Sequence, residues 1–322
     1  MPVESLATRE ARAHWALMDP LESFPDRSLP PLVSIGEANG LSAGINAFGA
    51  ELWRLRAPDG RDLQWNGDPA VWKGRAPILF PIIGRLKGDR YRLGGREFHL
   101  EKHGFARRMR FAVAEVTANS ARFVLLPTAQ TRAVYPFEFA LALTFAVDRS
   151  SLAVTAVVGN AGEAPMPFSF GFHPALRWPL PFGEPRGAHR LLFDQPEPAP
   201  IRRIDRNGLL AGSELSPVTG RRLVLRDDLF DEDALFFVGL ESCSLRYGAD
   251  DGPQIRVDFP DFPDLGVWTK PGADYICIEP WQGFNDPADF DGDLVEKPGM
   301  LVLAAGAEWR STMTLTLEDD EQ

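Results

Sequence analysis

Apolar and polar residues alternate along most of the chain with the period of a β-strand. In FEFALALTFAVD, QIRVDFP and STMTLTLE every second residue is apolar, which places one face of each strand in a core. Turn-forming triplets such as Pro58-Asp59-Gly60 and Asp251-Gly252-Pro253 separate the strands. No long run with a helical period follows residue 30. The pattern therefore predicts an all-β fold, either a large antiparallel β-sandwich or a large antiparallel barrel.

The first thirty residues have a different pattern. A short helical segment from Glu10 to Met18 is followed by a proline-rich link that ends at Pro31. No composition shift, repeat or low-complexity tract divides the rest of the chain. We therefore predict an N-terminal extension at residues 1–30 and one β-sandwich domain at residues 31–322.

The charge and the cysteines narrow the class of protein. The formal net charge is −11, and an acidic surface repels nucleic acids and anionic membranes, so neither is an expected partner. No segment approaches the roughly 20 apolar residues that cross a bilayer, and no signal peptide is evident, so we expect a cytoplasmic protein. Cys243 and Cys277 form either one long-range disulfide or, as is more usual here, two reduced and buried thiols.

Several motifs with well-understood chemistry are absent. The chain has no G-x-G-x-x-G, no G-x-x-x-x-G-K-[ST] and no G-x-S-x-G, so the dinucleotide, nucleoside-triphosphate and esterase hypotheses lack support. His99, Glu101 and His103 would share one face of a strand and could hold a metal ion, but no further ligand motif accompanies them. We expect neither a cofactor nor a metal.

The segment MPFSFGFHP, residues 166–174, places an imidazole at a strand end. As a strand it points Phe168, Phe170 and Phe172 one way, and Gly171 and His173 the other. Glycine weakens a strand interior unless something approaches closely, so a ligand against this face would explain Gly171. The alternative is a bend at Gly171, with His173 capping a turn.

The segment YICIEPW, residues 275–281, carries a carboxylate inside an apolar strand. Ile276 and Ile278 point one way, and Glu279 points the other. Burial of a carboxylate is costly unless the group is paired or protonated. Glu279 is therefore either a base in a cleft, with its pKa raised by desolvation, or an edge-strand glutamate that faces water.

The segment EFHLEKHGFAR, residues 97–107, ends in a second imidazole. Phe98 would face the core, and His99, Glu101 and His103 would face the other side, with His103 at the strand end. The alternative is two solvated histidines on a polar face. Taken together, the three strand ends supply two imidazoles and one carboxylate, an acid–base set that needs no metal or nucleophile.

Eight segments, in one order along nearly the whole chain, resemble the aldose 1-epimerase family and most closely its bacterial LacX-like branch. They are NAFGAELWRL, LFPIIGRL, KHGFAR, FSFGFHPAL, LFDEDALFF, GVWTK, CIEPWQGFND and KPGMLVLAAGAEW. The resemblance implies a large antiparallel β-sandwich that binds a sugar in a shallow cleft on one sheet face. It also implies a cofactor-independent isomerase that interconverts the α and β anomers of a free sugar.

The resemblance also implies roles for individual residues. Glu279 would remove the proton of the anomeric hydroxyl, His173 would protonate the ring oxygen, and His103 would hold and polarise the reacting end. Arg85 and Asp233 would hydrogen-bond sugar hydroxyls. Alignment selects Asp233 from the acidic run at 231–233.

Two positions depart from the galactose-type members of the family. Those members carry Asn before the Arg, whereas this chain has Gly84-Arg85, and here Pro174 follows His173. Both features match the LacX-like branch.

Three other functions remain open on the sequence. A hexose-6-phosphate 1-epimerase would need a cation cluster for the phosphate, for which Arg75, Arg107 and Arg108 are candidates. A non-catalytic carbohydrate-binding module would keep the fold but would not need His103, His173 and Glu279 together. A glycosidase would need two carboxylates that flank the bond.

Overall fold

The computed structural model describes residues 32–318. Within this range the chain forms 23 β-strands, one short α-helix and five 3-10 turns. The predicted helical segment from Glu10 to Met18, and the rest of the extension at 1–30, lie outside the described residues. No helix among the described residues is long and apolar enough to cross a membrane.

The largest sheet has nine strands, all paired antiparallel. In order across the sheet they are β16 (Arg222–Val224), β13 (Arg190–Phe193), β18 (Ser244–Gly248), β19 (Gln254–Asp258), β23 (Glu308–Glu318), β9 (Ser151–Asn160), β8 (Phe139–Asp148), β7 (Ser120–Leu125) and β6 (Ala112–Val116).

The second sheet has seven strands, again antiparallel. In order they are β11 (Phe170–Gly171), β21 (Tyr275–Gln282), β20 (Asp264–Trp268), β17 (Leu235–Val238), β14 (Ile201–Ile204) and β15 (Leu210–Glu214), and β12 (Ala175–Arg177) also pairs with β21.

Smaller elements complete the described fold. They are a three-stranded sheet of β1 (Val33–Gly36), β2 (Ser42–Asn46) and β3 (Glu51–Arg56), the pairs β4 (Arg90–Leu93) with β5 (Arg96–His99) and β10 (Met166–Phe168) with β22 (Leu301–Leu303), helix α1 (Ala129–Val134), and 3-10 turns at Lys87–Asp89, Ala106–Arg108, Arg186–Ala188, Asp227–Phe230 and Leu294–Glu296.

The hydrophobic core follows the alternation seen in the sequence. In β23, Met313, Leu315 and Leu317 are buried and the threonines between them are only partly buried. Apolar residues of the nine-stranded sheet and of the seven-stranded sheet, such as Leu315 and Ile278, belong to one core cluster. The all-β antiparallel sandwich predicted from the sequence is therefore confirmed.

The cysteines are not paired with each other. Cys243 is exposed, Cys277 is buried, and both are free thiols. Burial raises the pKa of the Cys277 thiol well above its ordinary value, so this sulfur is protonated at neutral pH. The expected burial is confirmed for Cys277 and wrong for Cys243.

Candidate active site

A cleft of about 180 Å³ opens on the face of the seven-stranded sheet that points away from the core. Strand β21 contributes Glu279 and Trp281 to this cleft, β20 contributes Trp268 and β17 contributes Phe236. Ile278, the residue before Glu279, belongs to the core instead, as the alternation of a strand requires. The predicted division of this strand into a core face and a cleft face is confirmed.

Glu279 lies on a central strand. β21 pairs with β20 on one side and with β11 and β12 on the other, and Glu279 is only 2% exposed. The alternative of an edge-strand glutamate that faces water is therefore wrong. Pro280 fits this central strand because it faces the gap between β11 and β12, where its carbonyl accepts a hydrogen bond from the Phe172 N–H at 3.1 Å.

His173 lies against Glu279, just after β11. The three phenylalanines of this segment are buried in the core, as predicted. The His173 ring points to the other side, and its Nε2 lies 3.1 Å from Oε2 of Glu279. The imidazole therefore faces the carboxylate, and the alternative in which it only caps a turn is wrong.

Glycine is required at position 171 for a different reason from the one expected. A Cβ on Gly171 would lie 2.5 Å from Cδ1 of Trp281, and one on Gly266 would lie 2.8 Å from the far edge of the same indole. Both glycines make room for Trp281, which spreads across the sheet as the cleft floor. The interpretation of Gly171 as the place where a ligand meets the strand is wrong.

Aromatic rings enclose His173. The ring of Trp72 stacks on the imidazole with centroids 5.3 Å apart and planes 27° apart. Trp268 meets His173 edge-on, and Trp72 also stacks on Tyr275. These rings exclude water, and the resulting burial lowers the pKa of His173 to about 3.

The pKa of Glu279 shifts in the opposite direction. Burial raises the pKa of its carboxyl well above the ordinary 4.5, the charge of Lys102 and the nearby indole N–H of Trp281 lower it, and the charge of Asp233 raises it. Within the described part of the chain, neither Glu279 Oε2 nor Trp281 Nε1 has a hydrogen-bond partner of good geometry. Because Glu279 and His173 are in contact they titrate as a pair, and burial favours the neutral form of each group.

His103 is not at the end of a strand. Strand β5 ends at His99, and a turn follows in which the Gly104 N–H donates to the Glu101 carbonyl at 2.9 Å. His103 has a φ of 65° in this turn, so its side chain leaves the plane of the hairpin. His99 is exposed while His103 is 8% exposed. The predicted shared face of His99, Glu101 and His103 is therefore wrong, as is the alternative of two solvated histidines.

The hydrogen bonds of His103 define its tautomer. Its Nδ1 accepts a hydrogen bond from the Gly84 N–H at 3.0 Å, and burial lowers the pKa of the ring well below 6.5. The imidazole is therefore neutral, and its proton resides on Nε2. Since His103 lines the cleft within 6.0 Å of the His173 ring, it offers an N–H donor beside the Glu279–His173 pair.

Arg85 and Asp233 lie farther out. A second, larger cleft of about 630 Å³ adjoins the first and shares Lys102 and Asp233 with it. Arg85 lines only this outer cleft, with its Nε 3.4 Å from Asp89 Oδ1. Of the acidic run at 231–233, only Asp233 also lines the inner cleft. The structure thus brings Asp233 to the three central residues and leaves Arg85 at the outer rim.

The three arginines considered for phosphate binding lie in different places in the structure. Arg107 lines the inner cleft. Arg75 instead stacks over Trp53 and donates to the Trp53 carbonyl, and Arg108 pairs with Glu101. Only Arg107 of these three reaches the inner cleft, where Lys102 adds a second positive charge.

Metal-ligating side chains converge at another place than the sequence suggested. Among residues 32–318, ligand atoms of His173, Cys277 and Glu279 lie within 4.8 Å of one another. All three are buried, and the Cys277 sulfur is a protonated thiol, which is a poor metal ligand. The absence of a metal requirement stays a prediction.

Sequence reasoning missed several residues of the cleft. Trp72, Lys102, Trp281 and Asn285 all line it. The last three lie inside KHGFAR and CIEPWQGFND, the segments that carried the family resemblance, so a closer look at those segments could have found them. Trp72 lies in a loop with no strand pattern, and nothing in its local sequence marks it.

The fold and the cleft agree with the comparisons to known proteins. The aldose 1-epimerase family model matches residues 31–185. The LacX protein of Lactococcus lactis subsp. lactis is 33% identical over 269 residues, which cover 80% of this chain and 90% of that protein. The chain belongs to the aldose 1-epimerase family.

Solved structures support the same assignment. A galactose mutarotase related enzyme from Lactobacillus acidophilus superposes with a TM-score of 0.82 at 33% identity, covering 89% of this chain and 97% of that one. A galactose mutarotase-like protein from Lactobacillus casei gives a TM-score of 0.81 at 31% identity, covering 89% and 100%.

Proposed function

We propose that this protein is an aldose 1-epimerase that interconverts the α and β anomers of a free sugar by ring opening and reclosure. The observation that carries the proposal is the 3.1 Å contact between His173 Nε2 and Glu279 Oε2 in the cleft. The family assignment, and the descriptions of the two Lactobacillus structures as galactose mutarotase-like, point to the same reaction class.

One shared proton suffices for this reaction. Ring opening removes a proton from the anomeric hydroxyl and delivers one to the ring oxygen, so the sugar gains and loses none. With the proton on His173, Glu279 accepts from the anomeric hydroxyl while His173 protonates the ring oxygen. The pair then holds its proton on Glu279, the distribution that the burial of both groups favours. Rotation about the C1–C2 bond and the reverse transfers close the ring on the other face.

The surroundings of Glu279 act on its pKa in both directions. Burial raises this pKa, the charge of Lys102 opposes the shift, and the charge of Asp233 adds to it. Proton transfers of this kind each contribute roughly 10²- to 10⁴-fold to a rate. That is enough for a reaction that already proceeds in water.

The remaining residues hold the sugar. The Nε2–H of His103 donates to an oxygen at the reacting end, since its Nδ1 is already bonded to Gly84. Asp233 accepts hydrogen bonds from sugar hydroxyls at the boundary of the two clefts. Arg85 donates hydrogen bonds to sugar hydroxyls from the outer cleft. Trp268, which lines both clefts, offers an aromatic surface to the ring.

A hexose 6-phosphate is the second candidate substrate. Lys102 and Arg107 on the inner cleft wall support it, because a phosphate needs nearby cations. The experiment that tests the function uses glucose and glucose 6-phosphate, each prepared as one anomer and followed by polarimetry or NMR exchange. We expect the larger kcat/KM with the free sugar. Turnover of glucose 6-phosphate alone would make the sugar phosphate the substrate. Binding of either sugar without turnover would indicate a carbohydrate-binding module.

A further inference from the structure

We propose that Asn285 is a substrate-binding residue whose side-chain oxygen accepts a hydrogen bond from one hydroxyl group of the sugar. The proposal rests on the proposed function and adds a determinant of which sugars bind. Asn285 lies just after β21 and lines the inner cleft, yet it is only 2% exposed. Its side chain therefore forms part of the cleft wall.

One hydrogen bond fixes the orientation of the amide. Nδ2 of Asn285 donates to the Gly208 carbonyl at 2.7 Å. A carbonyl only accepts, so the nitrogen must be the atom that faces Gly208, and Oδ1 must face the other way. Oδ1 is buried and has no hydrogen-bond partner among residues 32–318. A buried acceptor without a partner weakens the fold unless a ligand supplies the hydrogen, and a sugar hydroxyl is a ligand group that can donate one.

Gly84 clears the space for this amide. A Cβ at position 84 would lie 2.0 Å from Oδ1 and 2.1 Å from Cγ of Asn285, so no side chain at position 84 can coexist with the observed amide. The galactose-type sequences carry Asn at this position. In this chain position 84 is a glycine, and the space beside it is occupied by the amide of Asn285, which lies in the segment after β21.

The backbone around Asn285 is held from several sides. The Asp286 N–H donates to the Arg85 carbonyl at 3.0 Å, and Asp286 Oδ2 accepts from the Lys87 N–H at 2.8 Å. The buried ammonium of Lys297 donates to the Phe284 carbonyl. The amide is thus held in place by its own chain, and such preorganisation favours a role in binding.

The first test compares an aldose with its monodeoxy analogues in the wild-type protein and in Asn285→Ala. For one deoxy position, we expect the wild type to prefer the parent sugar in kcat/KM by about 3- to 10-fold, the value of one hydrogen bond. In Asn285→Ala this preference should fall to about one, while the ratios for the other positions stay unchanged. A residue with a merely structural role would weaken all sugars by the same factor, so unchanged ratios at every position would overturn the proposal.

A second variant and a second measurement allow the role of Asn285 to be tested in every case. If Asn285→Ala does not fold, the same ratios are measured in Asn285→Ser, which keeps a small polar side chain. If the wild type binds sugars without turnover, the ratios are taken from dissociation constants measured by calorimetry. That result would contradict the proposed catalytic function and leave the test of Asn285 intact.

The second test couples the two positions. Gly84→Ala should displace the amide and lower the wild-type preference for the same hydroxyl to about one. The φ of 65° at Gly84 strains alanine equally with or without Asn285, so this strain cancels in a double-mutant cycle. In Asn285→Ala the added Cβ has space, and Gly84→Ala should change sugar affinity less than about twofold. Additive effects on the affinity would contradict the steric exclusion.

Discussion

The pH dependence of turnover follows from the protonation of the Glu279–His173 pair. The proposed mechanism needs one proton on this pair, because one group must accept while the other donates. At high pH the pair loses its proton, and the midpoint is set by the raised pKa of Glu279. We expect kcat/KM to fall about tenfold per pH unit above that point.

The acid side follows from His173. The pair takes up a second proton only near the pKa of His173, which burial lowers to about 3. We therefore expect kcat/KM to stay flat through the mildly acidic range. A base that works alone would behave differently, because protonation of Glu279 would then abolish activity as the pH falls.

The assay is the rate of anomer exchange by NMR at a series of pH values. Acid and base also catalyse mutarotation in solution, so the rate in buffer alone is subtracted at each pH. An unfolding control by fluorescence at each pH separates loss of structure from loss of a catalytic proton. A steep fall in kcat/KM between about pH 7 and pH 5, with no fall on the alkaline side, would refute the shared-proton mechanism.

Two substitutions test the surroundings of the Glu279–His173 pair, and a third tests a buried charge next to the segment that follows β21. Trp72→Leu should admit water to the His173 ring, raise the pKa of His173 and move the acid limb of the pH profile upward; an unmoved limb would contradict the role of the stacked indole. Asp233→Asn removes a charge that raises the pKa of Glu279, so the alkaline limb should move to lower pH, and an unchanged limb would separate this aspartate from the pair. Lys297→Met removes a buried ammonium that interacts with the charges of Asp286 and Asp264 and donates to the Phe284 carbonyl, so urea denaturation should show about 3–5 kcal/mol less stability, whereas an unchanged midpoint would contradict this stabilising role.

The sequence predicted the features that depend on local alternation. The core faces of MPFSFGFHP and YICIEPW followed from the period of two, and both agree with the observed burial. The same rule failed at His103, where a turn with a positive φ ends the alternation after His99. The two-residue alternation of a strand cannot predict a tight turn inside a segment whose sequence pattern resembles one continuous strand.

The features that depend on distant parts of the chain could not be predicted from local pattern. Gly171 faces Trp281, more than a hundred positions away, and Gly84 faces Asn285, about two hundred positions away. In each case the sequence shows the glycine, but it does not show which distant side chain packs against that glycine. The family resemblance brought His103, His173 and Glu279 together, and neither alternation nor composition could have placed Trp72 over the imidazole.

The central claim is that Glu279 exchanges a proton with the sugar in this cleft. Glu279→Gln tests it most directly, because the amide keeps the size and the hydrogen bonding of the side chain but cannot act as the base. The measurement is anomer exchange of a free aldose by NMR, with sugar affinity measured in parallel by calorimetry. We expect affinity within a few-fold of the wild type and exchange at least ~10²-fold slower. Exchange at the wild-type rate, with affinity unchanged, would contradict the mechanism.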